Sequence, residues 1–400
     1  MVREMTFSRF RQRLDDESGM SYVFMGMGLM AFLSASMLAI DVGMLMTSRN
    51  QAQNSADAGA LAGAVALGFD NFTDRSPSGP AVTHAINAAK SNDVMAADVD
   101  VDPGDVEFLN DDNGQPTRVK VTVYRTSGRD NPMSTLIAAI FGMPNAGVGA
   151  TATAEVSPAD AMTCVKPFTI PDKWKEVGAD APFDPSTSEY ESWTRGGNPR
   201  PLPVGEADVY IPFKNPDGTK NAGYTGYNMT NDRGTRIMIR AGNGNQITPS
   251  FYFSLTLGGT TGGSEYEWNI ANCNQSIMEW GDPLIQEPGA MMGPTVHGIE
   301  ALIAKDPYAT WNETEKRVQG SRYTGQSPRV FPIPLYDPEY YSAGKRSGRN
   351  ADLKVANWIG FFAETVDGNN IWGRITPISG IRTGADVPEG LFPITIRLVK

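Results

Sequence analysis

From Met20 to Ile40 the chain carries no charged residue, a run of twenty-one positions. That is enough helix to cross a hydrocarbon core of about 30 Å at about 1.5 Å per residue. From Asp41 to about Leu67 the pattern changes, although no proline interrupts it. At the helical period Leu45, Ala52, Ala56, Gly59, Ala60, Gly63 and Leu67 form one stripe, while Gln51, Asn54 and Ala58 face away. The spacing therefore predicts one helix of about 70 Å, nearly half of it beyond the bilayer. Small side chains in a stripe permit close helix approach, so Ala52, Ala56, Gly59, Ala60 and Gly63 are the candidate contact residues. The stripe can serve a partner helix or the chain's own downstream domain, and the pattern does not choose between them. Asp41 falls where the apolar run ends, at the level of headgroups and water.

Ser76-Pro77-Ser78-Gly79-Pro80 breaks the helix, and Pro80 suits the first turn of a short one through about Ser91. Strands are expected near Asp98–Phe108 and Arg118–Thr126, the second with Val119, Val121 and Val123 alternating. Asn113-Gly114 between them favours a hairpin turn. A short helix over Pro132–Phe141 and a strand over Val148–Val156 complete an α-β-β-α-β module. Beyond Met162 strands dominate: Val209–Phe213, Arg236–Arg240, Phe251–Leu257, Arg329–Leu335, Val355–Ala363, Ile371–Ile375 and Ile394–Val399. Thr295–Ala304 is the one convincing helix there. The fold class is thus α+β: a long N-terminal transmembrane helix, a small α+β module, and a larger β-rich domain, a sandwich or a related β fold. The expected divisions are residues 1–19, 20–67, 68–158 and 159–400, the last being too long to share one core comfortably with the module.

Charge sets the orientation. Arg3, Arg9, Arg11 and Arg13 precede the apolar run, and Arg49 is the only basic residue between Met20 and Asn71. The positive-inside rule then places the N-terminus in the cytoplasm and the bulk of the chain outside it. A cleaved signal peptide would show the same basic start, but this run exceeds its usual apolar length and ends without a small-x-small site. A net charge of −11 argues against nucleic acid as a partner and against a basic lipid-binding patch. The 42 glycines and 28 prolines fit a loop-rich exported part. Cys164 and Cys273 are the only cysteines, so an oxidising compartment allows one disulfide; buried free thiols are the other reading.

The residues offer little for catalysis. His84 and His297 are the only histidines, and no Cys-x-x-Cys, Gly-x-Ser-x-Gly or Walker pattern occurs. Neither a cofactor nor a metal site is expected. His297 and Glu300 could share a helix face, though a structural histidine at a helix start is the plainer reading. Asp98-Val-Asp-Val-Asp102 resembles a calcium loop only superficially, because Pro103 and Leu109 stand where Gly and Glu are needed. Tyr224, Tyr227, Tyr252 and Trp268 could line a glycan-binding face or could pack in a core.

Asp15-Asp-Glu-Ser-Gly19, the apolar span, Ala39-Ile-Asp-Val-Gly43 and Arg49-Asn-Gln-Ala-Gln-Asn-Ser-Ala-Asp-Ala-Gly-Ala-Leu-Ala-Gly-Ala64 resemble the N-terminal region of TadE/TadG-like proteins of Flp (Tad) pilus-assembly systems. Glu287–Gly298 also resembles a stretch of longer TadG-like chains. Phe24 stands where processed pilins carry Glu, so the likeness is to the unprocessed TadG-like type. Asp16-Glu-Ser18-Gly-Met20 fails the Asp-x-Ser-x-Ser pattern of the metal site found in some relatives. The resemblance implies a single-pass protein of the bacterial inner membrane, N-terminus cytoplasmic and C-terminal domains periplasmic. It would act as a structural or docking component of a Tad/Flp-like pilus or secretion apparatus. The expected partners are apparatus proteins, or a second copy through the N-terminal helix. A membrane-tethered envelope or glycan-binding module is the main alternative, and an envelope hydrolase a further one.

Overall fold

Helix α1 runs without interruption from Ser18 to Phe69, 52 residues or about 78 Å. The computed structural model describes residues 18–111, 114–194, 198–242, 246–259, 261–346, 352–384 and 391–399. The four arginines ahead of Met20, the rest of the expected cytoplasmic segment through residue 17, and Asn113 of the expected turn lie outside the described residues. The helix is long and apolar enough to cross a membrane, and none of its most apolar window is buried in the protein. It ends where Asn71 folds back, its side-chain oxygen accepting from the N–H groups of Thr73 and Asp74.

The described chain divides into two compact units, one of Met1–Gly63, Arg75–Ala154 and Leu398–Lys400, the other of Ala64–Asp74 and Glu155–Arg397. Most of the helix therefore groups with the small module rather than standing apart. In that first unit α2 spans Pro80–Lys90, with Pro80 in its first turn, and buries Ala81, Val82, Ala85 and Ala89. Strand β1, Val106–Leu109, pairs antiparallel with β2, Arg118–Arg125, in the register Val106↔Val121. Strict alternation along β2 buries Val119, Val121 and Val123. Strand β3, Val148–Pro158, lies on the other side of β2. The first expected strand is shorter than anticipated; ahead of Val106 come an isolated bridge from Asp100 to Tyr124 and a 3-10 turn, Pro103–Asp105. The helix expected over Pro132–Phe141 is also absent. Met133–Ser134 instead pair with Asn145–Ala146, and the intervening loop holds a single 3-10 turn, Ala138–Phe141, stopped by Gly142 at φ +84°.

The second unit is β-rich, and its principal sheet closes on itself. Strands β4 (Phe168–Pro171), β5 (Arg236–Ala241), β6 (Phe251–Ser254), β7 (Val330–Tyr336), β8 (Leu353–Asp367) and β9 (Asn370–Thr376) follow the order β8-β7-β4-β6-β5-β9, with β9 pairing back to β8. The β-rich expectation is met by this barrel, which replaces the two facing sheets of a sandwich. Its core holds Phe168, Ile170, Ile237, Ile333, Phe361 and Ile375, all fully buried or nearly so. β7 pairs along its whole length with β8 but meets β4 only at Leu335 and Tyr336. Pro332 and Pro334 lack the N–H groups a longer ladder would need. Helix α3 (Gly263–Ala271), α4 (Met292–Lys305) and α5 (Pro338–Arg346) accompany the barrel, together with a single turn over Met229–Asp232, so among the described residues the expected Thr295–Ala304 helix does not stand alone. Val209–Phe213 forms no strand; Val209 makes one bridge, to Lys175. Strand β10, Pro393–Val399, is the last element of the chain.

Candidate functional site

The candidate surface of the first unit is α1, and the stripe on it is already occupied. Ala52, Ala56 and Ala60 are buried to within a percent. A Cβ at Gly59 would lie 3.0 Å from the Ala85 carbonyl oxygen and 3.2 Å from Val121 Cγ1. At Gly63 it would lie 2.9 Å from Val119 Cγ1 and 3.1 Å from Ala85 Cβ. The Ser55 hydroxyl donates to Ala89 O at 2.9 Å, and Met95 N–H donates to the Gln51 side chain at 2.9 Å. The five stripe residues thus bring α1 against the module's own α2 and β2. Of the two uses the pattern left open, the described chain shows the second: the stripe packs on the protein's own module. Small residues are needed all the same, because helix axes this close leave no room for larger ones.

Asp41 has partners within the first unit. Its carboxylate accepts the backbone N–H groups of Leu136 at 2.9 Å, Ile137 at 3.1 Å and Ala138 at 2.5 Å. Three successive donors at the mouth of a 3-10 turn make an anion-binding concavity, here filled by a side chain of the same unit. Nothing in the sequence marks this, because the partners are ninety-five or more positions apart.

The acids expected to edge a strand meet one cation. Arg129 reaches Asp105 at 2.7 Å, Asp102 at 2.8 Å and Asp100 at 3.3 Å. Among the described residues no group of three or more His, Cys, Asp or Glu side chains is placed to hold a metal ion.

In the second unit a disulfide joins Cys164 to Cys273, across a sequence separation of 109. It borders a cavity of about 480 Å³ whose lining includes Lys166 and Lys305. Both ammonium groups serve the carbonyl end of α3: Lys166 donates to Asn272 O at 2.7 Å and Lys305 to Ala271 O at 2.5 Å. Burial, with the positive charge of Lys305 nearby, pushes Lys166 down to about 7.

A polar cluster is enclosed at Asp172. Its carboxyl accepts from Tyr224 at 2.8 Å, Tyr210 at 3.0 Å, Lys173 N–H at 2.9 Å and Tyr227 N–H at 3.1 Å. Complete burial pushes Asp172 up to about 7 against the pull of those donors. Tyr227 is therefore interior and Tyr224 half-buried with its hydroxyl turned to Asp172, while Tyr252 is interior too, donating to Thr295 Oγ1 at 3.0 Å. Of the four candidate binding aromatics only Trp268 is exposed.

His297 lies on the exposed face of α4, with Nδ1 3.6 Å from Glu267. Its segment works structurally. Glu287 accepts from Thr256 Oγ1 at 2.6 Å and Gly262 N–H at 2.8 Å, and any Cβ at Gly298 would lie 2.6 Å from Ile270, where α3 crosses α4.

Residues 19–66 match the family described as putative Flp pilus-assembly TadE/G-like. No curated protein and no solved structure gives a match to the chain.

Proposed function

With a TadE/G-like segment over residues 19–66 as the premise, we propose that the protein is a membrane-anchored structural and docking component of a Tad/Flp-like pilus or secretion apparatus. The observation that carries the reading is that the matched segment coincides with the one long apolar helix left exposed among the described residues. An unburied run of this length needs a bilayer around it. The four arginines ahead of it favour a cytoplasmic N-terminus at the bacterial inner membrane, with the chain beyond the span outside the cytoplasm. The cystine between Cys164 and Cys273 suits an oxidising periplasm.

In this mechanism α1 fixes the protein in the membrane and continues as a rigid strut into the first unit. The stripe holds that unit on the strut, so apparatus proteins dock on surfaces away from it. Affinity and geometry do the work, with no reactive side chain in the scheme. A glycan-binding reading loses its main support, because Tyr224, Tyr227 and Tyr252 are committed to internal contacts.

Two measurements test this reading. A reporter active only outside the cytoplasm is fused after Lys400, and pili are counted in a deletion strain complemented with the intact chain. Reporter activity and restored pili are expected. A strain that keeps normal pili without the protein refutes the apparatus role, and reporter activity only at the N-terminus refutes the orientation.

A further inference from the structure

Between Pro132 and Ala146 the first unit has no charged residue, and the loop shows its apolar side chains outward. Leu136 is 62% exposed, Ile140 70%, Phe141 44% and Met143 51%. Single exposed apolar residues are ordinary, but four on one short loop call for a covering phase. Its position names that phase. The module lies along α1 in steps, from Val119 and Ala81 at Gly63, through Ala89 at Ser55 and Met95 at Gln51, to Leu136–Ala138 at Asp41. Asp41 directly follows the uncharged run whose twenty-one residues match the hydrocarbon thickness at about 1.5 Å each. Any bilayer around Met20–Ile40 therefore has its outer boundary at the level of this loop.

The backbone suits the same place. In a poorly hydrated layer every N–H must find a partner within the protein. Thr135 N–H donates to Pro144 O at 3.1 Å, Ile140 to Ile137 O at 3.1 Å, Gly142 to Ala139 O at 3.1 Å and Met143 to Ala138 O at 3.0 Å. The Asp41 carboxylate takes the three donors left at the mouth of the turn. The Thr135 hydroxyl donates to Met143 O at 2.6 Å.

We propose that the Pro132–Ala146 loop, clipped to α1 through Asp41, is a second membrane contact that seats Leu136, Ile140, Phe141 and Met143 in the outer interface of the bilayer spanned by α1. Two contacts at different distances from the helix axis would stop the first unit from rotating or tilting freely about its anchor. The inference rests on α1 being a membrane span.

The test uses the full chain with its native cystine intact, so that one introduced thiol carries an environment-sensitive fluorophore. Ile140→Cys, Phe32→Cys within the span and Asn87→Cys on the exposed side of α2 are reconstituted separately. The vesicles contain phosphatidylethanolamine, phosphatidylglycerol and a spin-labelled lipid. Labels at Phe32 and Ile140 should be quenched several-fold more than the label at Asn87, with emission at Ile140 shifted to the blue. Quenching at Phe32 with an Ile140 label no different from Asn87 overturns this inference and leaves the anchor standing. An unquenched Phe32 label overturns the membrane reading itself.

Discussion

Replacing Gly63 tests whether the helix stripe is spent on the protein's own module. Its Cβ position is already 2.9 Å from Val119 Cγ1, 3.1 Å from Ala85 Cβ and 3.2 Å from the Ala81 carbonyl oxygen. Two of those atoms belong to α2, whose backbone cannot yield locally. In Gly63→Ala a helical glycine is removed, a gain of about 0.5–1 kcal/mol. Forcing a methyl into closed space costs about 1–3 kcal/mol, so the net effect is about 0–2.5 kcal/mol of destabilisation. Gly63→Leu places three more carbons beyond that methyl, and a loss of about 3 kcal/mol or more is expected. Ala58→Leu, half-buried on the other face, should stay within about 0.5 kcal/mol of the parent. Denaturant unfolding of the detergent-solubilised chain measures the midpoints, and limited proteolysis shows whether the first unit is the part that opens. Midpoints should fall from the parent to Gly63→Ala and again to Gly63→Leu, with Ala58→Leu staying near the parent. If Gly63→Leu unfolds with the parent and only loses a co-purifying partner, the stripe is free for that partner and the packing argument fails.

Two further outcomes concern the second unit. Reducing Cys164–Cys273 releases a loop with a sequence separation of 109, worth about 4–5 kcal/mol in the chain-entropy account. Denaturant midpoints with and without reductant should differ accordingly, and coincident curves would show that the cystine contributes nothing. Asp172 keeps its proton in the folded protein up to about 7, whereas the unfolded chain releases it near 4. Over that interval the unfolded state binds fewer protons, so this group makes stability fall from about pH 4 to about pH 7 and adds no slope above it. Asp172→Asn keeps an acceptor for the Lys173 and Tyr227 N–H groups and should flatten that slope; an unchanged profile would show that burial does not hold the proton.

Features that depend on near neighbours were legible in the residues alone. An uncharged, proline-free run could only be helix, and α1 continues to Phe69 as the absence of any breaker required. Alternating valines fixed the inward face of β2, and the helical period placed α4. With two cysteines in the chain, only one intramolecular pairing was available. What covers each apolar face was settled by long-range contacts. Periodicity marked Ala52, Ala56, Gly59, Ala60 and Gly63 as a contact stripe, but α2 and β2 occupy it. Barrel closure depends on β9 pairing with both β8 and β5, strands well over a hundred positions apart in the case of β5. Tyr227 and Tyr252 have the composition of a binding face, and only the fold turned them inward. The Pro132–Phe141 segment has a helix-like composition, yet a carboxylate far back in the chain takes its first donors and its ends pair as a hairpin. Local sequence sets which groups need burial or a partner. The partner itself is chosen by contacts between distant segments, whose energies no local pattern contains.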